Sequence, residues 1–209
     1  MTRPVAIILA AGKGERIGGP KALLALPGAV KGEPERPLAI AHAQARLAAE
    51  CERALVVARK PVIAVMLRFM QPGLELLRSE ADDALGPAGS ISVAVQRLGD
   101  ATEVVLTPVD APPARAETVA RLLERLRSGD PAPLAVRPRH QGRRGHPVAL
   151  RVDVLARYLQ PNPPPLRDLL HELGDRCVDE DVDDPAVLVD LDRPIDVLRL
   201  TGGPPRFLG

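Results

Sequence analysis

A chain of 209 residues is long enough to bury a substantial core, and it suits one domain of ordinary size spanning 1–209. Its 28 basic and 27 acidic residues leave a formal charge of +1, so no net field draws it to nucleic acid or to an anionic membrane. One tyrosine, two phenylalanines and no tryptophan also leave too few aromatic platforms for stacking on single strands.

The chain opens on an apolar run over 5–11, far shorter than the ~20 residues a membrane span needs. No secretory signal pattern is visible, and a soluble, cytoplasmic protein is expected. Residues 5–9 read as a buried parallel strand. A helix follows over 37–50, a strand over 53–58, and a helix over 61–69 with Pro61 in its first turn. A short strand over 75–78 leads to a helix over 90–98, for which Ser90 is the expected N-cap. Another buried strand covers 104–107, then an amphipathic helix covers 115–128. Strands are expected over 134–137 and 146–151, helices over 153–159 and 165–173, and a last strand over 187–191, after which Pro194 opens a short helix. Cys51 and Cys177 make neither a disulfide framework nor a CxxC metal motif.

Strand–helix alternation at this spacing means βαβ units, and so an α/β fold with a doubly wound, mostly parallel, Rossmann-like sheet. Ligands of such sheets bind past the carboxyl ends of the strands. Three loops are thereby singled out: after Leu9, after Thr107 and after Leu191.

The first loop reads Leu9-Ala10-Ala11-Gly12-Lys13-Gly14-Glu15-Arg16-Ile17-Gly18-Gly19-Pro20-Lys21. Four glycines in eight residues let the backbone turn tightly and gather several N–H groups around an anion. Arg16 and Lys21 add a bidentate and a compact positive charge, enough to neutralise much of a triphosphate. The spacing fits neither the GxGxxG dinucleotide fingerprint nor a Walker A loop, since Ala22 stands where the metal-binding hydroxyl belongs. In the second loop, Asp110 lies between Pro108 and Pro112 at a strand end, a position suited to holding Mg²⁺ through oxygen. An Asx-turn or helix cap is the structural alternative for it.

LAAGKGERIGGPKALLAL resembles the LAAGxGxRxGxPKxLL signature of Rossmann-like nucleotidyltransferases, the nucleotide-diphospho-sugar transferase type of fold. Across Leu9 to Leu198 the chain is most similar to the molybdenum cofactor nucleotidyltransferases, which join CMP or GMP to the terminal phosphate of molybdopterin. The resemblance implies that Leu9, Ala10, Ala11, Gly12, Gly14, Arg16 and Lys21 bind the nucleotide, with Arg16, Lys21 and Asp110 catalytic. It implies that Asp110, in a PxDxP element, and Asp192, in an element usually written D-I-D-T-P-E-D-L, hold the metal, Mg²⁺. The chain departs from that element at Arg193 and Ile195, so a helix cap is the structural alternative for Asp192. Gly86-Pro87-Ala88-Gly89-Ser90-Ile91-Ser92 resembles a GxxxS segment beside the base and ribose, which implies close backbone approach at Gly89 and a hydrogen bond from Ser90; an ordinary helix cap is the structural alternative. His146 matches a GxxGHP element beside the acceptor, at the end of the basic run Arg137, Arg139, His140, Arg143 and Arg144. Solvated charge is the alternative reading of that run.

The reaction these residues imply is in-line attack by an acceptor phosphate on the α-phosphorus of an NTP, with release of pyrophosphate. Ala11 resembles the CTP-using branch, whereas GTP users tend to carry glycine there. The expected partners are CTP or GTP, a phosphorylated small-molecule acceptor, and a molybdoenzyme or its chaperone. A sugar-phosphate nucleotidyltransferase and a non-catalytic nucleotide-binding module are the competing expectations.

Overall fold

The computed structural model describes residues 3–27, 34–79 and 85–209. Its centre is β1 (Val5–Ala10), apolar at every position and almost wholly buried. Side chains alternate across a strand, so Ala6, Ile8 and Ala10 enter one core layer while Val5 and Ile7 enter the other. A strand apolar on both faces belongs in the middle of a parallel sheet. Here it lies between two parallel neighbours.

The remaining strands are β2 (Ala25–Leu26), β3 (Arg36–Pro37), β4 (Arg53–Ala58), β5 (Leu74–Arg78), β6 (Glu103–Pro108), β7 (Ala135–His140), β8 (Arg143–Arg144), β9 (Val148–Arg151) and β10 (Cys177–Asp181). The main sheet runs β10-β7-β9-β6-β1-β4-β5, with β8 folded back on β7, while β2 and β3 form a separate two-stranded ribbon. All neighbours from β5 to β6 pair in parallel. Strand β9 runs antiparallel to both β6 and β7, and β10 returns parallel to β7. The sheet is mixed but mostly parallel, as the alternation of elements predicts.

Helices α1 (Leu38–Ala48), α2 (Lys60–Met66), α3 (Gly86–Val95), α4 (Ala116–Arg127), α5 (Leu166–Glu172) and α6 (Pro194–Thr201) complete the fold. One core layer takes in α1 and α4, with Leu38, Ile40, Val119, Leu122 and Leu126 on the sheet. The other takes in α3, α5 and a 3-10 helix over Val152–Leu159, with Ile91, Leu155 and Tyr158. Among the described residues no helix is long and apolar enough to cross a membrane.

Two expectations are corrected. Residues 187–191 are not a strand: Pro185–Leu188 is a 3-10 turn whose first residues are held by Asp184, which accepts from the Ala186 amide at 3.1 Å. The strand place at that edge belongs to β10, whose Cys-Val-Asp-Glu-Asp sequence carries too much charge to read as a strand by apolar pattern. Its charges are cross-strand partners, Asp179 opposite Arg137 and Asp181 opposite Arg139. Ser90 is not an N-cap; it lies buried inside α3, which begins at Gly86.

Helix α1 carries two fully buried polar side chains, His42 and Arg46, on the same face one turn apart. Burial, with the Arg46 charge beside it, pushes the His42 imidazole down to about 3. The unfolded chain takes up that proton below its ordinary 6.5 and the folded protein refuses it, so stability is complete above that pH and is lost as pH falls towards 3. Chemical denaturation should show a His42-dependent loss of about 1.4 kcal/mol per pH unit through that window. His42→Gln should lack this component, and an identical pH slope in both proteins would contradict it.

Candidate active site

Parallel pairing brings the ends of β5, β4, β1 and β6 to one rim of the sheet. Within that rim Leu9 is opposite Pro108, and the Val109 amide donates to the Leu9 carbonyl at 3.0 Å. The loop after β1 and the loop after β6 are therefore adjacent from their first residue. A cavity of about 450 Å³ opens over them, within the range of small-molecule sites.

The glycine loop forms one side of this cavity. Gly14 has φ +66°, and its neighbours close a tight turn in which the Ile17 and Gly19 amides both donate to the Gly14 carbonyl. A Cβ on Gly14 would stand 1.8 Å from the Gly19 carbonyl oxygen, so only glycine fits. Gly19 packs on the Phe207 ring, and the tail is tied down where the Ala25 amide donates to Arg206 and the Leu208 amide donates to Leu23. A 3-10 turn over Lys21–Leu23 then aims Lys21 back at the rim.

Lys21 is where the loops meet. Its Nζ lies 2.6 Å from Asp192 Oδ1 and 3.7 Å from Asp110 Oδ2, and Arg16 reaches Asp192 Oδ2 at 3.7 Å. The Lys21 side chain is only 16% exposed against 37% for Asp110 and 46% for Asp192, so the ammonium forms the sheltered floor and the carboxylates its open flanks. The hydrogen bond and charge of Lys21 hold the Asp192 carboxyl below its usual range. Asp190 is pushed the other way, first by burial and then by the Asp110 and Asp192 charges. Asp192 does not cap α6: Arg193 takes that place, its amide donating to the Asp196 carboxylate at 2.9 Å, which leaves Asp192 to face Lys21. The missing last strand costs the site nothing, because the Leu191 amide donates to the Asp110 carbonyl at 2.6 Å and delivers Asp192 to the rim.

The other sequence-predicted residues divide. Leu9, Ala11, Gly12, Gly14, Arg16, Lys21, Ser90, Asp110 and Asp192 all line the cavity. Ala10 is buried in the sheet beneath it, and Gly89 is buried in α3 behind Gly86 and Pro87, which do line it. His146 is half-buried beside the rim rather than in the cavity. Its amide donates to the Val187 carbonyl at 3.0 Å, and burial lowers its imidazole despite the opposing Asp110 and Asp190 charges. Gly145 before it is obligatory, since a Cβ there would stand 1.9 Å from the Val187 carbonyl oxygen. The basic run is not an open clamp. Arg137 and Arg144 both pair with Asp179 at 2.9 Å, and Arg139 pairs with Asp181 at 2.7 Å.

Two cavity residues escape sequence reasoning, Arg59 and Ser79. Arg59 Nε donates to the Ala11 carbonyl at 2.7 Å, and Ser79 Oγ lies 3.4 Å from Ser90 Oγ. Each follows the end of a strand, β4 and β5, so the rule that marked the other loops applies to them equally.

The MobA-like NTP transferase domain model matches residues 6–180, and the rim of the sheet falls largely within that match. The chain belongs to this family. It is a nucleotidyltransferase of the NTP-transferase type. Among curated proteins, none matches. Among solved structures, Rv0371c of Mycobacterium tuberculosis H37Rv superposes with a TM-score of 0.75 at 23% identity, covering 97% of this chain and 98% of that one. A manganese complex of Rv0371c gives 0.74 at 22%, with 97% and 99% covered. A nucleotidyl transferase from Methanothermobacter gives 0.72 at 21%, with 97% of each chain covered. A CMP-2-keto-3-deoxy-manno-octonic acid synthetase complexed with CTP gives 0.69 at 16%, with 95% and 97% covered. At these identities the likeness is one of fold.

Gly14→Ala tests the turn. It should weaken NTP binding by about tenfold or more, given the cost of ~1 Å displacements in a positioned site. Isothermal titration would read this alongside a lowered melting temperature, since alanine strains the turn; NTP affinity equal to wild type would show that the turn does not shape the site.

Proposed function

We propose that the protein transfers CMP from CTP to the phosphate of a small acceptor, molybdopterin, releasing pyrophosphate. The observation that carries this reading is the Lys21 ammonium held between Asp110 and Asp192 at the mouth of the glycine loop. Cation and carboxylates meet where the triphosphate of an NTP would end its run along the Gly12 and Gly14 amides. Ala11 in the loop favours CTP over GTP, and the CTP-bound synthetase of like fold supports the same base. The whole chain, 1–209, acts as one transferase unit.

A divalent ion fits the two carboxylates. The Lys21 ammonium already stands in for one, a cation drawing both oxygens towards a common point. Among the described residues no group of three or more His, Cys, Asp or Glu side chains could hold a metal. Asp110 and Asp192 would therefore share the ion with nucleotide phosphates and water, the habit of Mg²⁺ rather than of a caged metal. Rv0371c, of like fold, has been solved as a complex with manganese. When bound, the ion would supply Lewis-acid charge at the phosphates.

The chain's own groups do the rest by positioning and electrostatics. Gly12 and Gly14 amides hold the β- and γ-phosphates, and Arg16 neutralises the leaving pyrophosphate. Lys21 leaves Asp192 for the α-phosphate and stabilises the charge that gathers there. Gly89 and Ser90 frame the nucleoside, Ser90 from the cavity wall and Gly89 from within α3 behind it. His146, its imidazole pushed down by desolvation, positions the acceptor beside Asp110. No general base is required, because a phosphate acceptor is already ionised at neutral pH.

Lys21→Met should lower turnover by about 100-fold or more, the scale of one lost charge-stabilising donor. It should also tighten Mn²⁺ binding in the absence of nucleotide, because the competing ammonium is gone; electron paramagnetic resonance titration reads this directly. Near-wild-type turnover, or weaker Mn²⁺ binding, would contradict the assigned role. Substrate choice is read by pyrophosphate release from CTP, GTP, ATP and UTP with molybdopterin or sugar phosphates. Release with CTP and molybdopterin is expected. Exclusive use of GTP would overturn the base, release only with sugar phosphates would overturn the acceptor, and no release with any pair would favour a binding module.

A further inference from the structure

The segment between Asp110 and helix α4 runs Asp110-Ala111-Pro112-Pro113-Ala114-Arg115, and it is tied at four points. At its start the Asp110 carbonyl accepts from the Leu191 amide at 2.6 Å. One residue on, the Ala111 carbonyl lies 2.7 Å from His42 Nε2. The Ala114 carbonyl accepts from Arg46 Nη1 at 3.4 Å, and the Arg115 amide donates to Asp184 Oδ2 at 2.8 Å. Ala111, Ala114, His42, Arg46 and Asp184 are all buried. The two prolines fix φ and offer no amide donors, which leaves the strap's carbonyls to make most of these ties.

His42 and Arg46 are costly residues for that task. His42 Nδ1 and Arg46 Nε and Nη2 are buried with no hydrogen-bond partner among the described residues. Burial lowers Arg46 to about 10, so the side chain remains charged in the core, with the Asp184 carboxylate as compensating charge. A buried charge lacking full hydrogen bonding is expensive, and an apolar pair would pack the same helix face at less cost. Such departures from local rules concentrate at functional sites. Here the departure lies directly under the loop that presents Asp110.

We infer that His42, with Arg46 behind it, is a positioning residue that sets the separation of Asp110 from Asp192. The path is continuous. His42 fixes Ala111, which orients Asp110, and the Asp110 carbonyl in turn holds the Leu191 amide next to Asp192. Because burial excludes the imidazolium, His42 is a neutral Nε2–H donor to the carbonyl, and Gln can place an amide N–H at nearly the same point. Asn, one carbon shorter, cannot reach it. The role rests on the reading of Asp110 as a site carboxylate.

Two readouts test this on the full-length protein, turnover and the hydrogen exchange of the Leu191 amide. His42→Asn should lower kcat by about tenfold or more with the NTP KM little changed, as expected when only transition-state geometry is disturbed. Leu191 exchange should quicken in the same variant, and His42→Gln should restore both. If His42→Asn fails to fold, His42→Ser carries the same comparison. Equal behaviour of the Asn and Gln variants, or a kcat loss with Leu191 exchange unchanged, would overturn the inference. Asp110→Asn separates the two levels: full activity there would sink the site assignment itself, whereas inactivity there with a silent His42→Asn sinks only the clamp.

Discussion

Strands β1 and β6 run side by side in the same direction, and the Val109 amide closes on the Leu9 carbonyl just past their ends. That parallel register is the constraint on which the rest depends. It forces the loop carrying Arg16 and Lys21 and the loop carrying Asp110 to leave the sheet at one point. Apolar residues on both faces of β1 leave it no stable place except between two covered neighbours. The register is thus fixed by burial, and opposite charges are brought together as its consequence.

The charges so gathered form an electrostatic cluster on a rigid base. Lys21 is shielded and its carboxylate partners are open, so a phosphate arriving from solvent meets a cation that already has anions to exchange. Interactions at such a sheltered point are screened less than those between surface charges. The arginines of β7 and β8 show the contrast. Asp179 and Asp181 of β10 pair with Arg137, Arg139 and Arg144, and these pairs hold the sheet edge together.

Much of this is legible in the sequence. Period and punctuation reveal the central strands, since Val5, Ile7, Val104 and Leu106 have no other use than a core. The glycine loop and Asp110 follow from the rule that ligands sit past strand ends. The same rule singles out the loop after Leu191, though on a strand that does not form, and the metal role of Asp192 comes from the family resemblance. Strand β10 is hidden by its charges, whose meaning depends on partners some 40 residues away. His42 reads as an ordinary helix residue. Only the fold shows that the carbonyl of Ala111, 69 positions along the chain, lies against it.

On the proposed reading, the glycine loop, Asp110 and Asp192 form one metal-assisted nucleotide site, and Lys21 yields its place on ligand entry. A crystal structure with a non-hydrolysable CTP analogue and Mn²⁺ measures this most directly. The anomalous signal of the ion should lie between the carboxylates of Asp110 and Asp192, with the phosphates on the Gly12–Gly14 amides and Lys21 Nζ moved onto phosphate oxygen. Triphosphate bound elsewhere, or manganese away from both aspartates, would contradict it.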